Sequence, residues 1–262
     1  MKKVLFVILV LCALSISSIA LAQPSHAKFK IPANAVKVDD DTYSLGKAVV
    51  DGQEVEGYMF IHKKDAEANR GGSASSKDST CYAYFASGSK WKTVEPWVVN
   101  PANAAGLDSS LVLGKLSTDI GNWETAAGKG ILGSGSSTSA SLVADTTSPD
   151  GVNEDYFAYI DSPGTIAVTT VWGIFSGPTF NRQLVEWDQV YDDVSFGWSF
   201  NGAFDKMDFD NIATHELGHA MGMAHPSDSC TQETMYRFAS LGETKKRTLN
   251  SGDVAGIRGL YK

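Results

Sequence analysis

Apolar and polar residues alternate along several stretches of the chain, which is typical of β-strands with one buried face. The alternation runs in places through residues 36–61, where Asp51-Gly52 separates two strand-like runs. Because Asp-Gly is a strong turn signal, this stretch predicts a β-hairpin. Residues 165–172 are mostly β-branched or aromatic and predict another strand. Further strands are predicted at the stretches 82–85, 91–99 and 183–191.

Three other segments have the spacing of helices. Between residues 108 and 127, apolar residues recur every three or four positions, and Trp123 among them is predicted to anchor the core. Asp108 or Ser109 would cap this helix. A second helix is predicted behind Asp208 or Asp210, and a third at residues 254–261. The second helix has an apolar arc, so it can pack on a core while its other side faces a cleft. The members of this arc are Phe209, Ile212, Ala213, Leu217, Ala220 and Met221.

The segments without periodicity suggest how the chain is divided. Residues 66–79 are rich in Gly, Ser, Ala and charge and predict a linker, and residues 128–141 predict a Gly/Ser loop. We therefore expect a pro-segment or accessory hairpin region at 23–79 and one globular domain at 80–262.

Residues 1–22 have the layout of a secretory signal peptide. Two lysines precede a short apolar run, and Ala20-Leu21-Ala22 fits a cleavage site before Gln23. The run is short for a permanent anchor helix. These features predict export to the extracellular space or the cell envelope, with no stable membrane span once the signal is removed.

Composition narrows the function classes. The chain has 262 residues, of which 43% are hydrophobic and 20% charged, and its net charge is −8. These values fit an ordinary globular domain with additional segments. No basic stripe is present beyond Lys245-Lys246-Arg247, so a nucleic-acid partner is not expected. We expect a monomer.

The candidate metal-binding and catalytic residues are concentrated between residues 214 and 228. His215 and His219 are one helical turn apart, so both side chains can reach one metal ion. Gly222 can adopt a positive φ, which lets the chain turn and bring His225 to the same ion. Three imidazoles suit zinc and leave a fourth position for water. Glu216 lies beside the ligands.

The motif His215-Glu216-x-x-His219-x-x-Gly222-x-x-His225 resembles the extended zinc signature of the metzincin metallopeptidases. Met235 matches the methionine turn of that clan. Residues 249–261 and the order of the upstream tryptophans are similar to the matrixins, the branch that contains the matrix metalloproteinases. The resemblance implies an α/β (α+β) fold. Its parts would be a twisted, mixed five-stranded sheet, two long helices, a zinc cleft and a smaller C-terminal subdomain with the methionine turn and a terminal helix.

The resemblance also implies a function. It predicts a secreted zinc endopeptidase that cleaves protein or peptide substrates, with one catalytic Zn²⁺, a metal-activated water and Glu216 as general base. Residues 165–172 would be the edge strand that borders the cleft, and residues 236–248 would shape the pocket after the cleavage point. Two alternatives stay open: a catalytically silent zinc-containing binding or envelope module, and a zinc amidase that acts on a non-protein polymer.

The cysteines allow two interpretations. Cys12 leaves with the signal, so Cys81 and Cys230 remain and are expected to form a disulfide in an exported protein. Alternatively, Cys81 could hold the zinc in a latent precursor, as a cysteine does in matrixins. The residues around Cys81 lack the matrixin cysteine motif, which favours the disulfide.

Acidic residues cluster in two places. Those between 145 and 155 allow a Ca²⁺ site, but they lack the EF-hand spacing and a solvated loop is the simpler interpretation. Glu186 and Asp188 could form a carboxylate pair for acid/base work, although strand-surface or turn-capping acids are more common. No histidine lies between His62 and His215. The second, structural zinc site of the matrixins is therefore not expected.

Overall fold

A computed structural model describes residues 27–65 and 80–262. The predicted signal segment and the predicted linker at 66–79 lie outside these residues. The α-helices are α1 Ser109–Ala127, α2 Phe209–Ala220 and α3 Ser251–Tyr261. The strands are β1 Lys28–Phe29, β2 Val36–Lys37, β3 Thr42–Val50, β4 Gln53–Lys64, β5 Ala83–Tyr84, β6 Glu95–Asn100, β7 Leu132–Ser137, β8 Asn153–Ile160, β9 Thr165–Ile174, β10 Gln183–Asp192, β11 Trp198–Ser199, β12 Met207–Asp208, β13 Met223–Ala224 and β14 Phe238–Ala239. Short 3₁₀ turns occur at Thr179–Asn181 and Lys245–Arg247.

One mixed sheet organises the molecule, with the strand order β2-β3-β4-β9-β10-β8-β6-β7. The last five strands of this order, β9-β10-β8-β6-β7, form the five-stranded sheet that the family resemblance predicts. Among these five strands every neighbouring pair is parallel except β9 with β10. Residues 27–65 supply β2, β3 and β4 and the short β1 that pairs with β8, so the N-terminal segment widens the sheet of the predicted catalytic domain.

The predicted β-hairpin is confirmed as β3 and β4, joined at Asp51 (φ 51°) and Gly52 (φ 79°). Its partner was not predicted. Strand β4 runs antiparallel to β9 from the pair Glu56–Gly173 to the pair Lys63–Thr165. The expectation that β9 is an edge strand is therefore wrong for this chain. The free N–H and C=O groups of an edge need partners, and the hairpin provides them.

Each face of the sheet is covered by an apolar layer. Helices α1 and α2 pack on one face, where Trp123 is fully buried as predicted and Trp187 of β10 points toward them. On the other face, Trp172 and Tyr156 pack with Phe29 of β1 and with Ala144 from the loop before β8. The large buried side chains on both faces hold β8, β9 and β10 in fixed positions beneath α2.

The prediction of a loop over residues 128–141 is wrong in part, because β7 lies inside it. Two of its glycines permit close packing: a Cβ at Gly135 would overlap the ring of Trp97, and one at Gly133 would come within 2.8 Å of the Glu95 carbonyl oxygen. Trp97 Nε1 also donates to the Gly133 carbonyl at 3.0 Å. These glycines therefore mark a close approach of two strands and not a flexible connection.

The C-terminal part is tied to the start of the 80–262 region. Cys81 and Cys230 form a disulfide across a sequence separation of 149, and β5 pairs with β13 beside it. Helix α3 begins three residues before the predicted 254. None of the helices described here is long and apolar enough to cross a membrane.

Candidate metal centre

Helix α2 and the turn that follows it bring three histidines together. Asp208 caps the helix by accepting a hydrogen bond from Asn211 N at 3.1 Å. At the other end Gly222 has φ 101°, where a Cβ would lie 2.9 Å from the Ser89 carbonyl oxygen. Glycine at this position therefore lets the chain turn sharply and carry His225 back to the helix.

The Nε2 atoms of the three histidines converge on one point. His225 Nε2 lies 3.2 Å from His215 Nε2 and 3.0 Å from His219 Nε2. Two nitrogens on one tetrahedral Zn²⁺ would be about 3.3 Å apart, given Zn–N distances of about 2.0–2.1 Å. The spacing of this triad therefore fits a single zinc ion.

The outer nitrogens of the triad fix which ring nitrogens carry protons. His215 Nδ1 donates to the Thr234 carbonyl at 2.7 Å, His219 Nδ1 donates to the Met223 carbonyl at 2.9 Å, and His225 Nδ1 lies 3.2 Å from Asp41 Oδ1. With the protons on Nδ1, three Nε2 lone pairs face one another, an arrangement that a cation stabilises.

Burial also keeps two of these histidines, His215 and His219, neutral. It lowers the pKa of His215 and His219 well below the ordinary value, because a charged imidazolium loses its hydration there. Neutral imidazole is the form that binds zinc. The donor set, its spacing and its protonation thus suit the metal that the motif predicts.

Met235 lies directly beneath this helix. It is fully buried, and a Cβ on Gly218, between the two ligand histidines of α2, would overlap its sulfur. Asp253 of α3 holds the turn by accepting hydrogen bonds from Thr234 N at 2.7 Å and Met235 N at 3.1 Å. The turn that carries Met235 also supplies the Thr234 carbonyl that orients His215.

Glu216 is enclosed on the same side of the sheet as the triad. Its Oε2 accepts a hydrogen bond from Thr169 Oγ1 of β9 at 2.6 Å, and its Oε1 lies 2.8 Å from His62 Nδ1. Burial raises the pKa of Glu216 to about 8, against the lowering effects of the Thr169 hydrogen bond and of Lys246. This glutamate thus has one oxygen held by the sheet and one by the N-terminal hairpin.

Side chains from the N-terminal segment cover every member of this site. Phe60 stacks on the ring of His219, with centroids 4.3 Å apart and planes 5° apart, and His62 stacks on His215 at 3.9 Å. Helix α2 was expected to present its histidines to a cleft. Instead His215, Glu216 and His219 are 0% exposed. The hairpin fills the space that the sequence predicted to be a cleft.

Lys246, in the segment predicted to shape the pocket, is also buried here. Its Nζ lies 3.1 Å from His62 Nε2, lies 3.4 Å from His215 Nδ1 and donates to the Tyr236 carbonyl. Burial lowers the pKa of Lys246 to about 7. The ring of His62 is thus enclosed between the base, the helix and the 236–248 segment.

Sequence reasoning missed the residues that surround the triad, which are Asp41, Phe60, His62, Thr169 and Lys246. Only His62 carried a usable signal, since it is one of five histidines and belongs to an alternating strand. The acids Glu186 and Asp188 do not join this site. They lie on the opposite face of the sheet, where the first is 0% and the second 2% exposed.

The fold and this centre have the arrangement of the zinc metallopeptidase class: a mixed sheet, a helix with two candidate ligand histidines one turn apart, a third histidine after a glycine turn and a buried methionine below. More narrowly, the chain belongs to the matrixins, peptidase family M10, whose family model matches residues 33–262. This confirms the predicted matrixin-like domain. At the level of the family it supports zinc as the metal, and protein or peptide as the substrate.

Individual proteins are also similar to the chain. The metalloendoproteinase 1-MMP of Arabidopsis thaliana is 43% identical over 56 residues, which are 21% of this chain and only 14% of that protein. Among solved structures, metalloproteinase-II from Bacteroides fragilis is 12% identical, with a TM-score of 0.35. That comparison covers 86% of this chain and 78% of the other, a similarity too low to transfer residue roles.

Proposed function

We propose that this chain is the latent precursor of a secreted zinc endopeptidase. The observation that carries the proposal is the convergence of the His215, His219 and His225 Nε2 atoms beside Glu216. A structural zinc site uses a fourth protein ligand and needs no base, whereas this triad leaves one position open and retains a carboxylate.

Zinc held by the three histidines would polarise a peptide carbonyl and acidify a water molecule. Glu216 is the general base in this proposal: its carboxylate accepts the proton of the attacking water and passes it to the leaving nitrogen. Thr169 positions that base, because its hydroxyl holds Oε2 and leaves Oε1 free to move the proton once His62 is withdrawn.

The substrate would bind along β9. If the hairpin leaves, the outer N–H and C=O groups of β9 become available to another extended chain. A peptide could then add to the sheet through main-chain hydrogen bonds, as β4 does now in the antiparallel direction. This mode supports a protein or peptide substrate, because recognition of the backbone tolerates many side chains.

Residues 23–79 would act as an inhibitory pro-segment. Strand β4 occupies the substrate's place on β9, Phe60 covers one ligand histidine, and His62 holds the base. Cleavage within residues 66–79, whose composition is typical of a linker, would separate this segment from residues 80–262. An accessory hairpin that merely accompanies the enzyme would not need to cover the triad.

Export is part of the proposal. The layout of residues 1–22 supports a secretory signal. The disulfide between Cys81 and Cys230 supports an oxidising compartment, such as the extracellular space or the cell envelope. The same disulfide engages the Cys81 sulfur, which leaves no thiolate there for latency through the metal.

A peptide-library digest tests this function. The full chain and the chain cut within residues 66–79 would be incubated with the library, with and without a zinc chelator, beside the Glu216→Gln variant. We expect cleavage by the cut form only, lost with chelator and in the variant. A zinc-loaded cut form that cleaves no peptide would refute endopeptidase activity. Cleavage of a non-protein polymer in its place would favour the amidase alternative, and no turnover of either would favour the silent binding module.

A further inference from the structure

The outer partner of the third histidine comes from a different part of the chain than those of the first two. The Nδ1 atoms of His215 and His219 lie against backbone carbonyl oxygens of the downstream region itself. His225 Nδ1 instead lies 3.2 Å from Oδ1 of Asp41, which belongs to the N-terminal segment. One of the three candidate zinc ligands therefore has its outer partner outside residues 80–262.

The Asp41 side chain is itself held in place. The residue is 7% exposed, and its second carboxylate oxygen, Oδ2, lies 3.5 Å from Arg237 Nη1. Its backbone carbonyl accepts a hydrogen bond from Ile61 N at 2.8 Å, which ties it to β4. Because Arg237 engages one oxygen and the backbone is fixed, the other oxygen stays directed at His225.

His225 is the member of the triad that depends most on such a partner. His215 and His219 belong to α2, whose backbone hydrogen bonds fix their positions. His225 follows β13 in a segment without regular secondary structure, and its side chain is 9% exposed, whereas the other two residues are fully buried. A carboxylate that accepts the Nδ1 proton of a ligand histidine fixes the tautomer and the ring orientation, and makes the ligand more basic.

Asp41 contacts the nitrogen of His225 that faces away from the triad. The metal-facing nitrogen is Nε2, which lies 3.0 Å from His219 Nε2. The carboxylate therefore acts on zinc through the imidazole and is not placed as a ligand of its own.

We propose that Asp41 is a positioning residue for zinc, through which the N-terminal segment supports one ligand of the centre that it also covers. The inference rests on the proposed function, because it requires that the triad holds zinc. The carboxylate keeps the proton of His225 on Nδ1 and aims Nε2 at the point where the three nitrogens converge. Zinc is then acquired by the precursor, with the N-terminal segment in place.

The zinc affinity of the uncut chain tests this role without reference to catalysis. It would be measured by competition with a chromophoric chelator. Asp41→Asn keeps the shape of the side chain but removes its charge, and should raise the Kd for zinc about ten- to hundredfold. The matched control is Asp40→Asn, which removes the neighbouring exposed carboxylate that pairs with Lys37 and Arg237. This control should leave the Kd unchanged.

Melting temperatures separate positioning of the ligand from a structural role. A ligand that binds only the folded state raises the melting temperature according to its affinity. Loss of a positioning residue should therefore reduce the increase that zinc produces. If Asp41 were merely structural, Asp41→Asn would lower the melting temperatures of the metal-free and the zinc-loaded chain equally, and this result would overturn the proposal.

The outcomes also distinguish this inference from the proposed function. A wild-type chain that binds zinc, with an unchanged Kd in Asp41→Asn, would overturn the role of Asp41 alone. A wild-type chain that binds no zinc would overturn the triad as well. If Asp41→Asn fails to fold, nuclear magnetic resonance of the zinc-loaded wild-type chain decides. The Nδ1 proton of His225 should exchange slowly with water, and a rapidly exchanging proton there would contradict the proposal.

Discussion

His62 Nδ1 of the N-terminal hairpin lies 2.8 Å from Glu216 Oε1, and the two side chains are fully buried. The residue proposed as general base thus has its free oxygen engaged by a residue 154 positions earlier in the chain. This contact, together with the stacking of Phe60 on His219, makes the hairpin part of the centre that it covers.

The first prediction concerns that contact. In the uncut chain, His62→Ala should raise peptide hydrolysis about tenfold or more over the wild-type precursor, because it frees Glu216 and opens the space beside His215. The matched control is Lys64→Ala, which alters an exposed side chain of the same strand. The rate of hydrolysis is measured with a fluorogenic peptide. Equal rates in the two variants would show that His62 does not contribute to latency.

The second prediction concerns the base. In the cut enzyme, Glu216→Gln should reduce kcat by at least about a hundredfold, since general-base catalysis contributes roughly 10²–10⁴. Zinc content, measured by elemental analysis, should stay at one equivalent because the ligands are intact. Thr169→Val removes only the hydrogen bond that positions Glu216, so kcat should decrease less in this variant than in Glu216→Gln. Turnover that survives Glu216→Gln rules this residue out as the base.

The third prediction concerns packing beneath the ligands. Gly218→Ala should lower the free energy of unfolding by about 1–3 kcal/mol, because the added methyl group overlaps Met235 and overpacks the core. Gly114→Ala in α1 is the control. No atom lies within 4 Å of a Cβ there, so the change should stabilise the helix by about 0.5–1 kcal/mol. Denaturant unfolding measures the change in the free energy of unfolding for each variant. A change of the same sign in both variants would contradict the prediction.

The fourth prediction concerns Asp155 of β8, which is fully buried beside the side chain of Tyr191. Burial raises its pKa well above the ordinary value. Its contribution to stability is therefore complete below the unfolded-state pKa of about 3.9 and is lost as the pH rises through the folded-state pKa. Asp155→Asn removes this titration. The melting temperature of the variant minus that of the wild type should rise between pH 4 and pH 8, and a difference independent of pH would refute the assignment.

The features that the sequence predicted are each determined by residues that lie close together in the chain. The zinc triad lies within eleven residues, and the turn at Asp51-Gly52 identifies its hairpin without outside contacts. The pairing of β4 with β9 joins segments about a hundred residues apart, and it depends on which edge is free rather than on either strand's pattern. No local signal distinguishes a hairpin that stands apart from one that closes a cleft.

At two places the amino-acid composition predicted a loop where the structure has a strand. Gly133 and Gly135 resemble loop residues, but their lack of side chains is what allows Trp97 to approach. Acids in the 145–155 region resemble a solvated loop, but Glu154 and Asp155 lie in a buried strand. In both cases the partner that changes the interpretation comes from another part of the chain.

The position of the disulfide determines what a single cut could release. Cys81 follows residues 66–79 almost immediately, and its bond to Cys230 fastens the start of the downstream region to the loop before Met235. A break upstream of Cys81 therefore yields two unequal fragments. The shorter one, with the hairpin, is retained by non-covalent contacts alone and can dissociate. In the longer one the disulfide keeps Cys81 joined to Cys230, so this link between the two ends of the downstream region survives the cut.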